Sequence, residues 1–260
     1  MSCEKASAIV LRTADFSETS CVATLFTREF GKVRGIAKGA RRPKGPFDSA
    51  LDLLSVCRVV FLRKQSDVLD ILTEARLERH FRPRDKNLSC LYAGYYVGEL
   101  LSELTDDYDA HPALYDAADQ MLSDLSAGTT PVFELTLRFE LVTLQLLGHL
   151  PSLNTCAECG TTVPAQGKIY FSHLAGGVLC PRCRTGKAQV ATVTPAALGI
   201  LQAWSPECSQ SAETTSAQIA QHLGGRATSG TVRGLMSHYI SHLVGRKLRM
   251  HRYLTTNTQQ

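Results

Sequence analysis

Four cysteines stand in two pairs, Cys156-Ala-Glu-Cys159 and Cys180-Pro-Arg-Cys183, separated by 20 residues. Two residues between thiolates let both sulfurs reach one ion, and a second such knuckle alongside completes a tetrahedral shell. The spacer carries Ile169-Tyr170-Phe171 and Gly176-Gly177, enough for a hairpin that delivers the second knuckle to the first. This spacing predicts Zn2+ on Cys156, Cys159, Cys180 and Cys183. A thioredoxin-like dithiol needs only one CxxC in a strand–helix context. The spacing alone leaves iron–sulfur ligation open, with the two separate pairs favouring zinc. Four thiolates leave no open coordination position, so the metal is expected to be structural.

The second chemistry is positive charge. From Arg28 to Lys44 there are seven cations, Arg28, Lys32, Arg34, Lys38, Arg41, Arg42 and Lys44, against the single acid Glu29. A protein that follows a nucleic-acid strand needs fixed cations spaced along the phosphates. Phe16, Phe30 or Phe47 could add a base-stacking surface, although a barrel core claims phenylalanines equally well. A second run, from Arg226 to Arg252, holds six cations and no acid. Within it Arg246, Lys247, Arg249 and Arg252 are weaker candidates for DNA contact. They are expected at the end of the last helix, where the dipole alone would favour them. By segment, residues 1–83 carry 15 Lys and Arg against 10 Asp and Glu; residues 84–155 carry 3 against 11; residues 156–260 carry 10 against 3. Two basic blocks flanking an acidic middle hint at a nucleic-acid partner.

Catalytic machinery is not visible. GxxxxGK[ST], HExxH and GxSxG are missing, and the eight histidines pair with no obvious nucleophile. A base deaminase would need His-x-Glu and a proline before the second CxxC, where Leu179 stands.

The elements that must position these residues fall into two regions. Ala6–Arg12, Cys21–Thr27, Val33–Ala37, Ser55–Arg63 and Val68–Leu77 read as five short strands, with Lys38–Phe47 a loop rich in Gly, Pro and charge. Five strands closing into a small barrel is the OB-fold pattern. After Pro83 the apolar spacing becomes helical over Asp85–Leu104 and Ala113–Leu125. Thr130-Pro131 and Thr194-Pro195 each begin a further helix, the first running to Gly148 and the second to Trp204. Val232, Leu235, Met236, Tyr239, Ile240, Leu243 and Val244 then form one apolar stripe, and the tail beyond Leu254 is expected to fray. The expected architecture is α+β: an OB-type barrel over 1–80, then a helical domain over 81–260 interrupted at about 154–190 by the four-cysteine module.

With 260 residues, 44% hydrophobic and 20% charged, the chain is too apolar for disorder, and no run is long enough to span a bilayer. The start Met1-Ser2-Cys3-Glu4-Lys5 lacks a secretory pattern, so a cytoplasmic location is expected. Cys3, Cys21, Cys57, Cys90 and Cys208 are scattered singly and read as small apolar residues.

Thr24-Leu-Phe-Thr-Arg-Glu-Phe-Gly-Lys32, leading to Ala37-Lys-Gly-Ala-Arg-Arg42, resembles the start of the RecO family of bacterial recombination mediators. The two CxxC pairs inside a helical region and the ending Gly245-Arg-Lys-Leu-Arg-Met-His-Arg-Tyr-Leu254 extend the resemblance over nearly the whole chain. One departure is Gly45, where the family often has serine. The resemblance implies an OB barrel followed by a zinc-bearing helical domain. It also implies binding of single- and double-stranded DNA, annealing of complementary strands and no enzymatic step. The implied partners are RecR, the C-terminal tail of single-strand-binding protein and, in some members, RecF, acting together to load RecA. A zinc-bearing RNA-binding or ribosome-associated protein would carry the same basic blocks. An interaction scaffold using the acidic middle, or a nuclease without a visible motif, are further readings.

Overall fold

The computed structural model describes residues 2–42, 45–47, 49–64, 69–205 and 225–256. Lys44 and Cys208 lie outside them, as does Val68, the expected first residue of the fifth strand. The chain divides into two compact units, Met1–Val132 and Phe133–Gln260.

In the first unit five strands close a barrel: β1 (Ser2–Asp15), β2 (Cys21–Thr27), β3 (Gly31–Ala37), β4 (Val56–Arg63) and β5 (Asp70–Arg79), in the order β1-β2-β3-β5-β4. All neighbours are antiparallel except β3 and β5, which run parallel from Gly35–Asp70 to Ala37–Leu72. Closure depends on the length of β1. Its first half pairs with β4 (Ser2 opposite Arg63 through Ile9 opposite Val56), and its second half pairs with β2. The register shifts between Val10 and Arg12, the bulge at which a strand bends to serve two partners. Sequence alternation predicts only Ala6–Arg12, because Ser2–Lys5 is polar, while its hydrogen bonds to β4 depend on a partner more than 50 residues away. Small interior residues (Ala8, Ala23, Ala37, Ala75) alternate with Leu25, Val33, Val59, Phe61 and Leu72, the mixture a narrow barrel can hold.

Two helices, α1 (Leu88–Leu104) and α2 (Pro112–Ala127), belong to the same unit. The start of α1 falls at Leu88 because Asn87 is its cap, Oδ1 accepting from the amides of Ser89 at 2.9 Å and Cys90 at 3.2 Å. Gly128, at φ 65°, ends α2. Phe26 points outward from β2 yet is fully buried, its ring 6.3 Å from that of Tyr115 on α2.

The second unit holds α3 (Val132–Leu146), a three-stranded sheet and four more described helices. The sheet has the order β7-β6-β8, with β6 Ile169–Ser172, β7 Gly177–Leu179 and β8 Val190–Val193. The helices are α4 (Pro181–Arg184), α5 (Pro195–Trp204), α6 (Gly225–Val244) and α7 (His251–Thr256). Thr194 caps α5, its Oγ1 accepting from the amide of Ala197 at 3.2 Å. The stripe on α6 is core from Val232 to Ile240, each residue 6% exposed or less.

Two expectations need correction. The last helix ends at Val244, where Gly245 takes φ 77°, and α7 begins only at His251. Arg246, Lys247 and Arg249 therefore lie on a connection between helices, just past the end of α6, and not in a terminal helical turn. α7 also continues two residues past Leu254, to Thr256, and the remainder of the tail expected to fray lies outside the described residues.

Candidate nucleic-acid interface and metal centre

The chain delivers the four cysteines as the spacer predicts. β6 and β7 form a hairpin, Tyr170 opposite Leu179 and Ser172 opposite Gly177, which hands Cys180 to the start of α4. The first knuckle is a tight turn in which the Gly160 amide donates to the Cys156 carbonyl at 2.8 Å, with Gly160 at φ 71°. The knuckles are tied together because the Ala157 amide donates to the Val178 carbonyl at 2.9 Å. Gly177 packs so closely on Ser152 that a Cβ there would overlap the Ser152 backbone, which fixes the approach of the hairpin.

All four sulfurs lie within 4.8 Å of one another, and Cys159 Sγ is 3.8 Å from Cys180 Sγ. A tetrahedron of sulfurs about 2.3 Å from a central ion has edges of about 3.8 Å. The Thr161 hydrogen bonds hold the Cys159 thiol down to about 6, while its sulfur neighbours, Cys159 first, push Cys183 up to about 12. The first thiolate forms easily and the last resists, since four negative charges need a cation among them. The cluster can chelate a metal.

The basic block fares differently. Arg28 holds Asp116 of α2 through two bonds, Nε at 2.8 Å and Nη2 at 3.0 Å, and this contact lowers the Asp116 carboxyl below the usual range. Arg34 reaches Asp107 at 2.6 Å. Lys32 is largely covered, its ammonium donating to the carbonyls of Ser102 at 2.8 Å and Thr105 at 2.6 Å, with Asp107 at 3.8 Å. Arg41 pairs with Asp15. Lys38 and Arg42 are exposed and make no ion pair among the described residues. Of the six described cations of the block, Arg28, Lys32, Arg34 and Arg41 thus stand beside a carboxylate, three of them beside Asp107 or Asp116 of the acidic middle, which residue counts hide. Arg79, held to Asp119, repeats the pattern.

Thr27-Arg-Glu-Phe-Gly31-Lys32, singled out in the sequence for its charge, is a clamp. Thr27 Oγ1 donates to the Gly31 carbonyl at 2.8 Å and accepts from the Phe30 amide at 3.1 Å, shaping the β2–β3 turn. Gly31 sits at φ 68°, and a Cβ there would overlap the Asp109 carbonyl. Lys32 then caps the last turn of α1, where a cation complements the free carbonyls.

The cations of the block without an ion pair among the described residues, Lys38 and Arg42, stand beside the β1–β2 turn. The Arg41 amide donates to the Thr19 carbonyl at 3.1 Å and the Gly39 amide to Ser20 Oγ at 3.4 Å, joining the Lys38–Arg42 loop to residues 16–20. Phe16 on that turn is 62% exposed. Phe47 is barrel core at 2%, and Phe30 packs edge-on to Phe61 with centroids 5.5 Å apart, so only Phe16 of the three presents its ring to solvent. Sequence reading missed Arg12. It is exposed and stands in one outward row with Thr24 and Arg34, a placement that depends on the bulge and was not legible from the charge block.

In the second unit Arg233 is not a surface cation. It is 5% exposed, donates to Glu140 at 2.6 Å and to Thr136, and stands over the Phe133 ring. Arg246, Lys247, Arg249 and Arg252 are exposed.

Residues 1–81 match the family described as Recombination protein O N terminal, and residues 86–250 match Recombination protein O C terminal. The chain belongs to the RecO family. The DNA repair protein RecO of Rhodopirellula baltica is 37% identical over 263 residues, covering 95% of this chain and 97% of that protein. RecO of Anaeromyxobacter sp. strain Fw109-5 is 33% identical over 257 residues, covering 96% and 94%. RecO of Listeria monocytogenes (strain CLIP80459) is 31% identical over 180 residues, covering 69% and 68%. Membership makes the chain a DNA-recombination mediator, a role without catalysis, and gives no support to the RNA or ribosomal alternative. No described helix is long and apolar enough to cross a membrane.

Proposed function

We propose that this RecO chain binds single- and double-stranded DNA on the outside of its barrel and anneals complementary strands. In the same role it helps load RecA onto strands coated by single-strand-binding protein. The observation that carries this reading is the meeting of an exposed aromatic ring, Phe16, with the exposed cations Lys38 and Arg42 on two hydrogen-bonded loops. Bases stack on the ring while the cations neutralise phosphates, and Arg12 extends the charge along the β1–β2 face. Strand order β1-β2-β3-β5-β4 supports assigning the barrel to the OB fold, whose β2–β3 face and β1–β2 loop are the usual seat of oligonucleotides. Arg28, Lys32 and Arg34 serve to hold the barrel to its own helices. We take 1–80 as the DNA-binding domain and 81–260 as the helical domain, interrupted at about 154–190 by a module that binds Zn2+ through Cys156, Cys159, Cys180 and Cys183. The metal braces that module. RecR, the tail of single-strand-binding protein and, in some settings, RecF are its partners, in the cytoplasm at the nucleoid.

Annealing makes and breaks no covalent bond; holding two strands with part of their charge neutralised lowers the repulsion that slows pairing. Three cations, Arg12, Lys38 and Arg42, at about 0.7 each give a log–log salt slope for single strands of about −2, against about −5 for all seven of the block. Lys38→Ala with Arg42→Ala is expected to flatten that slope by about 1.4 and slow annealing of coated strands. An unchanged slope would remove the barrel face from the reading.

A further inference from the structure

Three histidines that the sequence scatters over 70 residues meet in the second unit. His173 sits on the turn of the β6–β7 hairpin, and His238 and His242 lie one helical turn apart on α6. The rings of His173 and His238 are 6.0 Å apart, edge to face. With Ser241, Arg246 and Lys247 they line an open cleft of about 360 Å³. Gln189 and Gly245 complete the described lining, which contains no carboxylate. His173 Nδ1 is buried without a hydrogen-bond partner among the described residues. Imidazoles, a guanidinium and an ammonium with no carboxylate among them make a lining suited to an anion.

We infer that this cleft is a phosphodiester seat, a second contact for a nucleic-acid strand on the helical unit, whose hold tightens as its histidines gain protons. The inference rests on the DNA-binding reading above and adds to it a position and a pH dependence. Two arguments choose an anion over a metal. Arg246 and Lys247 would repel a divalent ion, and the described lining offers it no carboxylate ligand. The four cysteines, by contrast, already lie at mutual distances suited to a metal, as these imidazoles do not. Burial, followed by the charges of His238 and His242, disfavours the protonated form of His173. A phosphate placed among the three rings relieves that repulsion. By linkage, phosphate binding and proton uptake then favour one another. The other titratable group close to His238 is His251 on α7, which burial pushes down to about 4 and which stays neutral through the relevant range. A second seat also suits annealing, which must manage two strands.

The test uses the full, metal-loaded chain and a fluorescently labelled thymidine oligonucleotide at constant ionic strength, at pH 6.0 and 8.0, with bound metal measured at both. Binding is expected to be about tenfold tighter at pH 6.0, a shift matching about one pKa unit of differential interaction. His238→Gln with His242→Gln, both exposed, is expected to bring that ratio down to about twofold while leaving metal content unchanged. Lys38→Ala with Arg42→Ala is expected to weaken binding equally at both pH values. The two readings therefore fail separately: an unaffected barrel variant removes the barrel face and leaves the pH ratio standing. A pH ratio that survives in the histidine double variant overturns the seat. In a parallel arm, histidine NMR resonances are followed with inorganic phosphate, with the oligonucleotide and with hexaglutamate. Movement by both phosphate probes supports the inference. Movement by inorganic phosphate alone, or by the acidic peptide but not the oligonucleotide, overturns it in favour of a free anion or a protein partner.

Discussion

Lys32 and Lys38 are six residues apart in one basic run, and the fold gives them opposite duties. Lys32 donates to two carbonyls at the end of α1 and stands 3.8 Å from Asp107, whereas Lys38 faces solvent. Lys32→Ala is expected to cost about 1.5–3 kcal/mol of stability, because charge-assisted bonds to covered carbonyls are lost, and to leave the salt slope of DNA binding untouched. Urea denaturation beside a binding titration separates the two effects. Arg233 carries a comparable lesson. Arg233→Met takes the guanidinium away from the fully buried Glu140 carboxylate. The expected loss is about 3–5 kcal/mol, and adding Glu140→Leu should recover most of it, since the pair is costly to break but not to replace. A double variant as unstable as the single one would contradict this.

At the level of elements, the metal module is a pair of knuckles joined by a hairpin, with only short strands and the four-residue α4 to stabilise it. Segments that small do not hold their shape by packing alone. Chelation, or Cys156→Ser, is expected to release about one Zn2+ per chain and to raise amide exchange across residues 154–190, while β1 to β5 keep their protection. Intact protection of the module after full metal removal would deny the metal a bracing role. The β2–β3 turn is positioned in another way. Thr27 shapes it, Gly31 lets it approach the Asp109 backbone, and Lys32 fastens it.

For the whole molecule, part of the uneven charge along the chain is an internal affair. Asp107, Asp116 and Asp119 of the acidic middle neutralise Arg34, Arg28 and Arg79 of the barrel. This withdraws acids from the scaffold reading and cations from the DNA track together. Global stability should also depend on pH through His251. Its folded form is held near 4 by burial, against about 6.5 when unfolded. Between these values the unfolded chain binds the extra proton, so stability is full above about pH 6.5 and falls as pH drops toward 4, by up to about 3 kcal/mol. His251→Asn should flatten this part of the profile in denaturation experiments; an unchanged acid limb would assign the loss to other groups.

The cysteine spacing, the five strands and the stripe on α6 were legible because each is a local pattern: a knuckle, an alternation and a helical period are complete within about twenty residues. Family membership was legible for the same reason, in runs such as Thr24–Lys32 and Gly245–Leu254. Tertiary structure decided which cations stay exposed. Whether Arg28 meets Asp116 or a phosphate depends on a helix 88 positions away, and charge acts through space without regard to chain order. It decided equally that Arg12 joins Arg34 on one face and that three dispersed histidines share a cleft, since register and packing bring together groups that no sequence interval records.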